Sequence, residues 1–407
     1  MKRVATLFLL FFFLEAAIAG NPALAYVAQS TIPLAGGCPQ LDRWNLSVSS
    51  PLNRRWSTSL SPMHTTVLTV AAAGTAAQLT EIEQVISDSY SAWAGVTGTT
   101  FNATAFPGLI APLASVSAAN SCTNDAESNV DGLNTICFNQ ASMGFSSGVL
   151  AFTRTITANA AGVSVGASAT SAFAGQILDT DTLFRNDGQA VFATPAALAT
   201  PQGVGAYDLE TLLAHELGHW FGLDHSGVWR ALMFPFAPPP GQFLGARPTP
   251  QAPDRPLSDD DRTGIRMLYP DPNDTVDVGT ITGRVLPANP FALAIIPPPS
   301  TGRSVTGIFG AQVVAVDADT GAVIAAALAG WSCNPANPPV QFDGTYELDR
   351  LPVGHNYNIN AEPLIGLVGP SDFSIALGDL CVSGGTTECT TPAVDTNFNV
   401  RTRPAGP

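Results

Sequence analysis

Residues 215–225 read HELGHWFGLDH. This stretch places His215, Glu216, His219, Gly222 and His225 at the spacing H-E-x-x-H-x-x-G-x-x-H. In a helix, residues four apart share one face, with a rise of about 6 Å between them. His215 and His219 can therefore aim two imidazoles at one ion. Glu216, one residue on, can reach a water on that ion. Gly222 is the residue type that leaves a helix cheaply through a left-handed conformation. The chain can then turn back and bring in His225 as a third nitrogen ligand. Three histidines and one open position is the layout of a catalytic zinc rather than a closed structural one. The chain has five histidines in 407 residues, and three of them fall in this window. If the segment were only a buried helix, each imidazole would need its own hydrogen-bond partner on an apolar stretch.

Two downstream segments extend the pattern. Ala231-Leu232-Met233-Phe234-Pro235 places Met233 eight residues after His225, and His225 is followed by Ser226. Further on stands Leu257-Ser258-Asp259-Asp260-Asp261-Arg262-Thr263-Gly264-Ile265, where Ser258 and Asp261 form a helix-start signal of the [ST]-x-x-[DE] type. Together with the histidine motif, these segments resemble the metzincin metalloproteases, and among them the matrixin branch. The resemblance spans residues 40–270.

The resemblance implies an α+β catalytic domain, with a twisted mixed sheet, an active-site helix and a C-terminal helix. It implies one catalytic zinc on His215, His219 and His225, with Met233 as an apolar floor beneath the ion. Glu216 would activate the zinc-bound water, and the substrate would be a protein or peptide. Gly148 to Thr153 would be the edge strand above the site, with Val149, Leu150, Ala151 and Phe152 accepting an extended peptide. By periodicity alone, an ordinary core strand fits that segment equally well. The Pro-rich stretch Pro235 to Pro256 would wall the specificity pocket. Ala237 stands where the family often has tyrosine, which implies a differently shaped pocket. A second, structural zinc is not expected, because only His64 and His355 remain outside the motif. Calcium has two candidate carboxylate sets, Asp179, Asp181 and Asp187, or Asp125, Glu127 and Asp131; solvated loop carboxylates are the plainer reading.

The chain opens Met1-Lys2-Arg3, runs apolar from Val4 to Leu14, and continues through small residues to Gly20. That is the pattern of a secretory signal peptide over residues 1–25, with cleavage after Ala19 or after Ala25. The apolar run is shorter than the ~20 residues a membrane span needs, and no later segment qualifies. A secreted, extracellular protein is expected. The net charge of −15, with only 12% of residues charged, argues against nucleic acid and anionic membrane partners. A monomer is expected.

Six cysteines in such a chain suggest disulfides. Cys122 and Cys137 enclose a short polar loop and are the most natural pair. Cys38 is then alone in the first half, while Cys333, Cys381 and Cys389 occupy the second. Either one bridge joins the halves or two thiols remain free. The family resemblance adds a third role, Cys38 on the zinc as a propeptide switch. Gly36-Gly37-Cys38-Pro39-Gln40 lacks the arginine and aspartate that flank that switch, and a disulfide is favoured.

Along the chain, residues 26–40 form a leader or arm and 41–270 the catalytic domain. Thr75 and Gln78 form a capping box, and Leu79, Ile82, Val85, Ile86, Tyr90 and Trp93 recur at helical spacing over 76–95. Residues 177–184 (ILDTDTLF) alternate apolar and polar as a strand does. Residues 271–277 are a linker. Over 278–400, short strand-like runs separated by Asp319-Thr320-Gly321 and Asp343-Gly344 turns predict a small antiparallel β-sandwich. It resembles carboxypeptidase regulatory-like domains, without chemistry of its own, and is expected to fold separately. The reading is a secreted zinc endopeptidase. Two alternatives stay open: a binding or adhesion protein carrying an inactive protease-like domain, and a zinc hydrolase of non-peptide substrates.

Overall fold

The structure, a computed structural model, describes residues 28–31, 33, 38–47, 54–57, 63–66, 75–101, 114–116, 133–138, 145–164, 170–244, 247, 252, 254–276, 278–286, 307–308, 310–330, 332–333, 343–364, 382–383 and 386–387. The signal segment, the acidic set Asp125, Glu127 and Asp131, and Cys122, Cys381 and Cys389 lie outside them.

The first part of the chain runs β1 (Arg54–Ser57), α1 (Ala76–Ala94), β2 (Ala114–Val116), β3 (Asn134–Cys137), β4 (Ala151–Thr157), β5 (Ile177–Phe184), α2 (Leu209–Trp220) and α3 (Asp259–Leu268). The five strands form one sheet in the order β2-β1-β3-β5-β4. Its first four strands are parallel, and β4 pairs antiparallel with β5 at one edge. The alternation in β5 suggests one wet face, yet all eight of its residues are buried. Hydrogen bonds satisfy the polar side: Thr135 N donates to Asp181 Oδ1 at 3.0 Å, and Thr180 N donates to Asn134 Oδ1 at 2.9 Å. Asp187 is engaged by Arg185 at 2.9 Å. Asp181 and Asp187 of the carboxylate set Asp179, Asp181 and Asp187 thus each meet a protein donor.

Helix α1 starts at the expected capping box, with Gln78 N donating to Thr75 Oγ1. Its Ile82, Val85, Ile86, Tyr90 and Trp93 are buried, and Trp93 Nε1 donates to Ala214 O at 2.8 Å, which lays α1 along α2. Helix α3 also begins at its expected capping box, Ser258 with Asp261. Tyr269, just beyond it, donates its hydroxyl to Phe221 O at 2.7 Å. The end of α2 is thereby fixed to the end of α3.

The arm before the sheet holds a small antiparallel pair, Ser30–Thr31 with Gln40–Leu41. Asp42 follows it, buried beside Asp224, and accepts from Thr31 Oγ1 at 2.7 Å. Burial, with a smaller push from the Asp224 charge, raises its carboxyl from 3.8 to about 7 against the pull of the Thr31 hydroxyl. Between those values the folded chain keeps a proton that the unfolded chain has lost, so stability falls as pH rises through the window. Asp42→Asn removes this titration. Its stability relative to the natural chain is expected to grow across the window and then level off, as read by urea midpoints of the metal-free proteins. Parallel pH profiles would refute the assignment.

The second part carries β6 (Val278–Arg284), β7 (Gln312–Asp317), β8 (Val323–Leu328), β9 (Thr345–Pro352) and β10 (Tyr357–Glu362). They form two antiparallel sheets, β6 with β9 and β8-β7-β10. His355 Nδ1 lies 2.6 Å from Asp317 Oδ2 across this unit. The linker composition predicts separate folding; in the structure the two parts are in apolar contact. Ile265 and Leu268 of α3 share one buried apolar cluster with Val313, Ala325, Ala327 and Leu348 of the second part. A disulfide, Cys38–Cys333, also joins the arm to it. Cys137 is disulfide-bonded as well; Cys122, its expected partner, is outside the described residues.

Candidate metal centre and active site

Helix α2 begins at Asp208, whose carboxylate caps Thr211 N at 2.8 Å. Arg247 from the Pro-rich loop pairs with Asp208 and, at 2.9 Å, with Glu210. The loop is therefore pinned to the start of the helix that carries His215, Glu216 and His219. The helix ends at Phe221, and Gly222 takes φ +99°, the left-handed region the sequence motif requires. A Cβ at Gly222 would also meet Asp42 O at 2.1 Å, so two independent constraints demand glycine here.

The turn delivers His225 to the other two histidines. One ring nitrogen from each of the three lies within 4.8 Å of the others, and among the described residues this is the group of three side chains able to share a metal. Nδ1 of His215 is 2.7 Å from Leu232 O, and Nδ1 of His219 is 2.8 Å from Leu223 O. A carbonyl only accepts, so each Nδ1 carries the proton, and each Nε2 keeps its lone pair for a ligand role. Burial, then the neighbouring His225, lowers His215 to about 3 and His219 well below its ordinary value, so both rings are neutral. The Nε2 atoms of His219 and His225 are 3.2 Å apart. Two nitrogens on one tetrahedral zinc stand about 3.3 Å apart, from bonds of about 2.0–2.1 Å. The donor set and its spacing fit zinc.

Glu216 is 5% exposed, on the same helix. Burial pushes its carboxyl up to about 8, and the Thr153 hydroxyl pulls the other way. Thr153 Oγ1 donates to Glu216 Oε2 at 2.9 Å and also lies 3.0 Å from Glu216 O. Thr153 belongs to β4, the outermost strand beside α2. Sequence reading misses it, because a threonine in a strand carries no mark of what it faces.

The strand expected over Val149, Leu150, Ala151 and Phe152 begins later. Val149 and Leu150 precede β4, and only Ala151 and Phe152 lie in it. Ahead of the strand, Arg185 Nη1 donates to Val149 O at 2.6 Å, and Arg185 N donates to Leu150 O at 2.9 Å beside the Ala151–Phe184 pair.

Met233 is fully buried. A Cβ at Gly218 would lie 2.2 Å from Met233 Sδ and 2.9 Å from the Trp93 ring, so only glycine allows the methionine to lie under the ligand helix. Gly218 also escapes a motif search, since x in H-E-x-x-H admits any residue. Asp261 of α3 accepts from Leu232 N at 2.8 Å and Met233 N at 3.1 Å, and Leu232 O in turn holds His215.

The matrixin family model (peptidase M10) matches residues 62–270, half of the chain. Metalloendoproteinase 1 from Glycine max is 41% identical over 64 residues, which cover 16% of this chain and 17% of that relative. The histidine cluster, the methionine turn beneath it and the family match over half the sequence agree, and this chain belongs to the matrixins.

Proposed function

We propose that the chain is a zinc metalloendopeptidase that hydrolyses peptide bonds in proteins. The observation that carries this reading is the pair of neutral, carbonyl-anchored imidazoles, His215 and His219, converging with His225 beside the buried carboxyl of Glu216. His215, His219 and His225 would hold the zinc. When bound, zinc supplies Lewis acidity that brings a water's pKa from ~16 towards ~7 and polarises a carbonyl.

The chain's own residues do the rest. The positive charge of a bound zinc would favour the ionised form of Glu216 against its burial. As the carboxylate, Glu216 takes the proton of the attacking water and later returns it to the leaving amine. Thr153 orients that carboxylate through its 2.9 Å hydrogen bond. Met233 and Trp93 keep the underside of the helix dry. Strand β4, outermost in its sheet, offers backbone groups that an extended peptide could pair with.

The signal-like first 25 residues support secretion, and among the described residues no helix is long and apolar enough to cross a membrane. The division into a catalytic part, 41–270, and a carboxypeptidase regulatory-like β-sandwich, 278–400, is supported by the family match ending at residue 270 and by the two antiparallel sheets that follow. Incubating the chain with denatured protein is expected to yield cleavage that a chelator abolishes and added zinc restores. Chelator-resistant cleavage, or none, would refute the reading. Cleavage of small esters without peptides would favour the non-peptide hydrolase instead.

A further inference from the structure

The loop that carries the third histidine is enclosed from two sides. On one side lies the N-terminal arm. Gln29 N donates to Gly222 O at 2.9 Å, and Ala28 bridges to Leu223. On the other side lie the C-terminal strands. Val228 and Ala231, between His225 and Met233, form a small buried cluster with Val314 of β7 and Ala326 of β8. Asp260 of α3 is fully buried and serves both parts at once. Its Oδ2 accepts from Ser226 Oγ at 2.6 Å, one residue past His225, and its Oδ1 accepts from Ala326 N at 2.7 Å. Thr263, one turn along the same helix, donates to Ile324 O at 3.1 Å. The Cys38–Cys333 disulfide then ties the arm to the C-terminal part.

These contacts close a ring: arm, metal loop, Ser226, Asp260, β8, and back through the disulfide to the arm. We propose that the C-terminal strands are a clamp on the metal loop, acting through Asp260 and Cys38–Cys333, so that the second part of the chain sets metal affinity. This inference rests on the reading that the three histidines hold zinc. The physical argument is one of preorganisation. The backbones of His215 and His219 are fixed by helix α2, although the His215 ring also leans on Leu232 O of the same loop. His225 sits in a loop, and a loop ligand binds tightly only if its neighbours fix it before the ion arrives. Asp260 is a positioning residue, since it touches neither ion nor substrate.

The test uses the full chain and zinc itself. The zinc dissociation constant is measured by chelator competition, the ligand field by the absorption spectrum of the cobalt-loaded protein, and the fold by near-ultraviolet circular dichroism. Asp260→Ala, and separately Cys38→Ser with Cys333→Ser, are expected to raise the zinc dissociation constant by about 10–100-fold and to alter the cobalt spectrum. Leu348→Ala, a cavity in the C-terminal core away from Ser226 and Asp260, is expected to lower stability while leaving affinity and spectrum unchanged. The proposal is overturned if Asp260→Ala melts earlier but binds zinc as the natural chain does. If Asp260→Ala does not fold, the Ser226 pair decides: affinity lost in Ser226→Ala and kept in Ser226→Thr supports the clamp, and equal affinity in both overturns it. A natural chain that takes up no zinc is a distinct outcome, which overturns the metal site itself.

Discussion

Glu216→Gln is expected to keep zinc and to lower peptide hydrolysis by about 10²–10⁴-fold, the range one positioned acid–base group supplies. The substitution preserves volume in a position that is 5% exposed, and it preserves an acceptor for the Thr153 hydroxyl now 2.9 Å away. It removes only the capacity to take and return a proton. The three histidines are untouched, and the Nδ1 anchors of His215 on Leu232 and of His219 on Leu223 do not involve Glu216. Glu216→Ala should behave alike in zinc content and activity, with a further loss of stability from the cavity. Elemental analysis and steady-state hydrolysis of one peptide check both statements. Near-natural kcat in a preparation free of contaminating protease would remove Glu216 from the mechanism.

His219→Ala is expected to bring zinc content from about one per chain to near zero. His219 is buried, and its Nε2 lies 3.2 Å from that of His225, so its loss removes a ligand that no described neighbour can replace. The change also leaves Leu223 O without its imidazole donor, a cost of about 1–3 kcal/mol where that carbonyl stays dry. His215→Ala and His225→Ala should strip the metal as well. Retention of zinc by the variant lacking all three imidazoles would show that the metal sits elsewhere.

What could be read from the sequence was what depends on residues close together in the chain. The His215–His219 pair follows from helical spacing, and Gly222 announces itself because few other residues accept φ +99°. The capping boxes at Thr75–Gln78 and Ser258–Asp261 are four-residue patterns, and both stand where they were expected. The bridge between the halves was one of two outcomes left by an odd cysteine in each; the fold selected Cys333 as the partner of Cys38.

The tertiary structure decided what depends on distant segments meeting. Thr153 reaches Glu216 only because β4 lies outermost in the sheet, against α2. Gly218 is required only because Met233 and Trp93 arrive beneath it from two other elements. Arg185, at the end of β5, meets the carbonyls of Val149 and Leu150 only because β4 and β5 pair. Asp260 reads as one more charge at a helix start, yet it ends fully buried between Ser226 and Ala326. By itself, then, the sequence determined the family resemblance and which residues to propose as metal ligands and as acid–base residue, because their spacing is local and the backbone enforces it. The tertiary structure alone determined what orients Glu216, what underlies the ligand helix, and how the two halves share a core. Those features arise from burial and long-range hydrogen bonding, which local residue patterns do not encode.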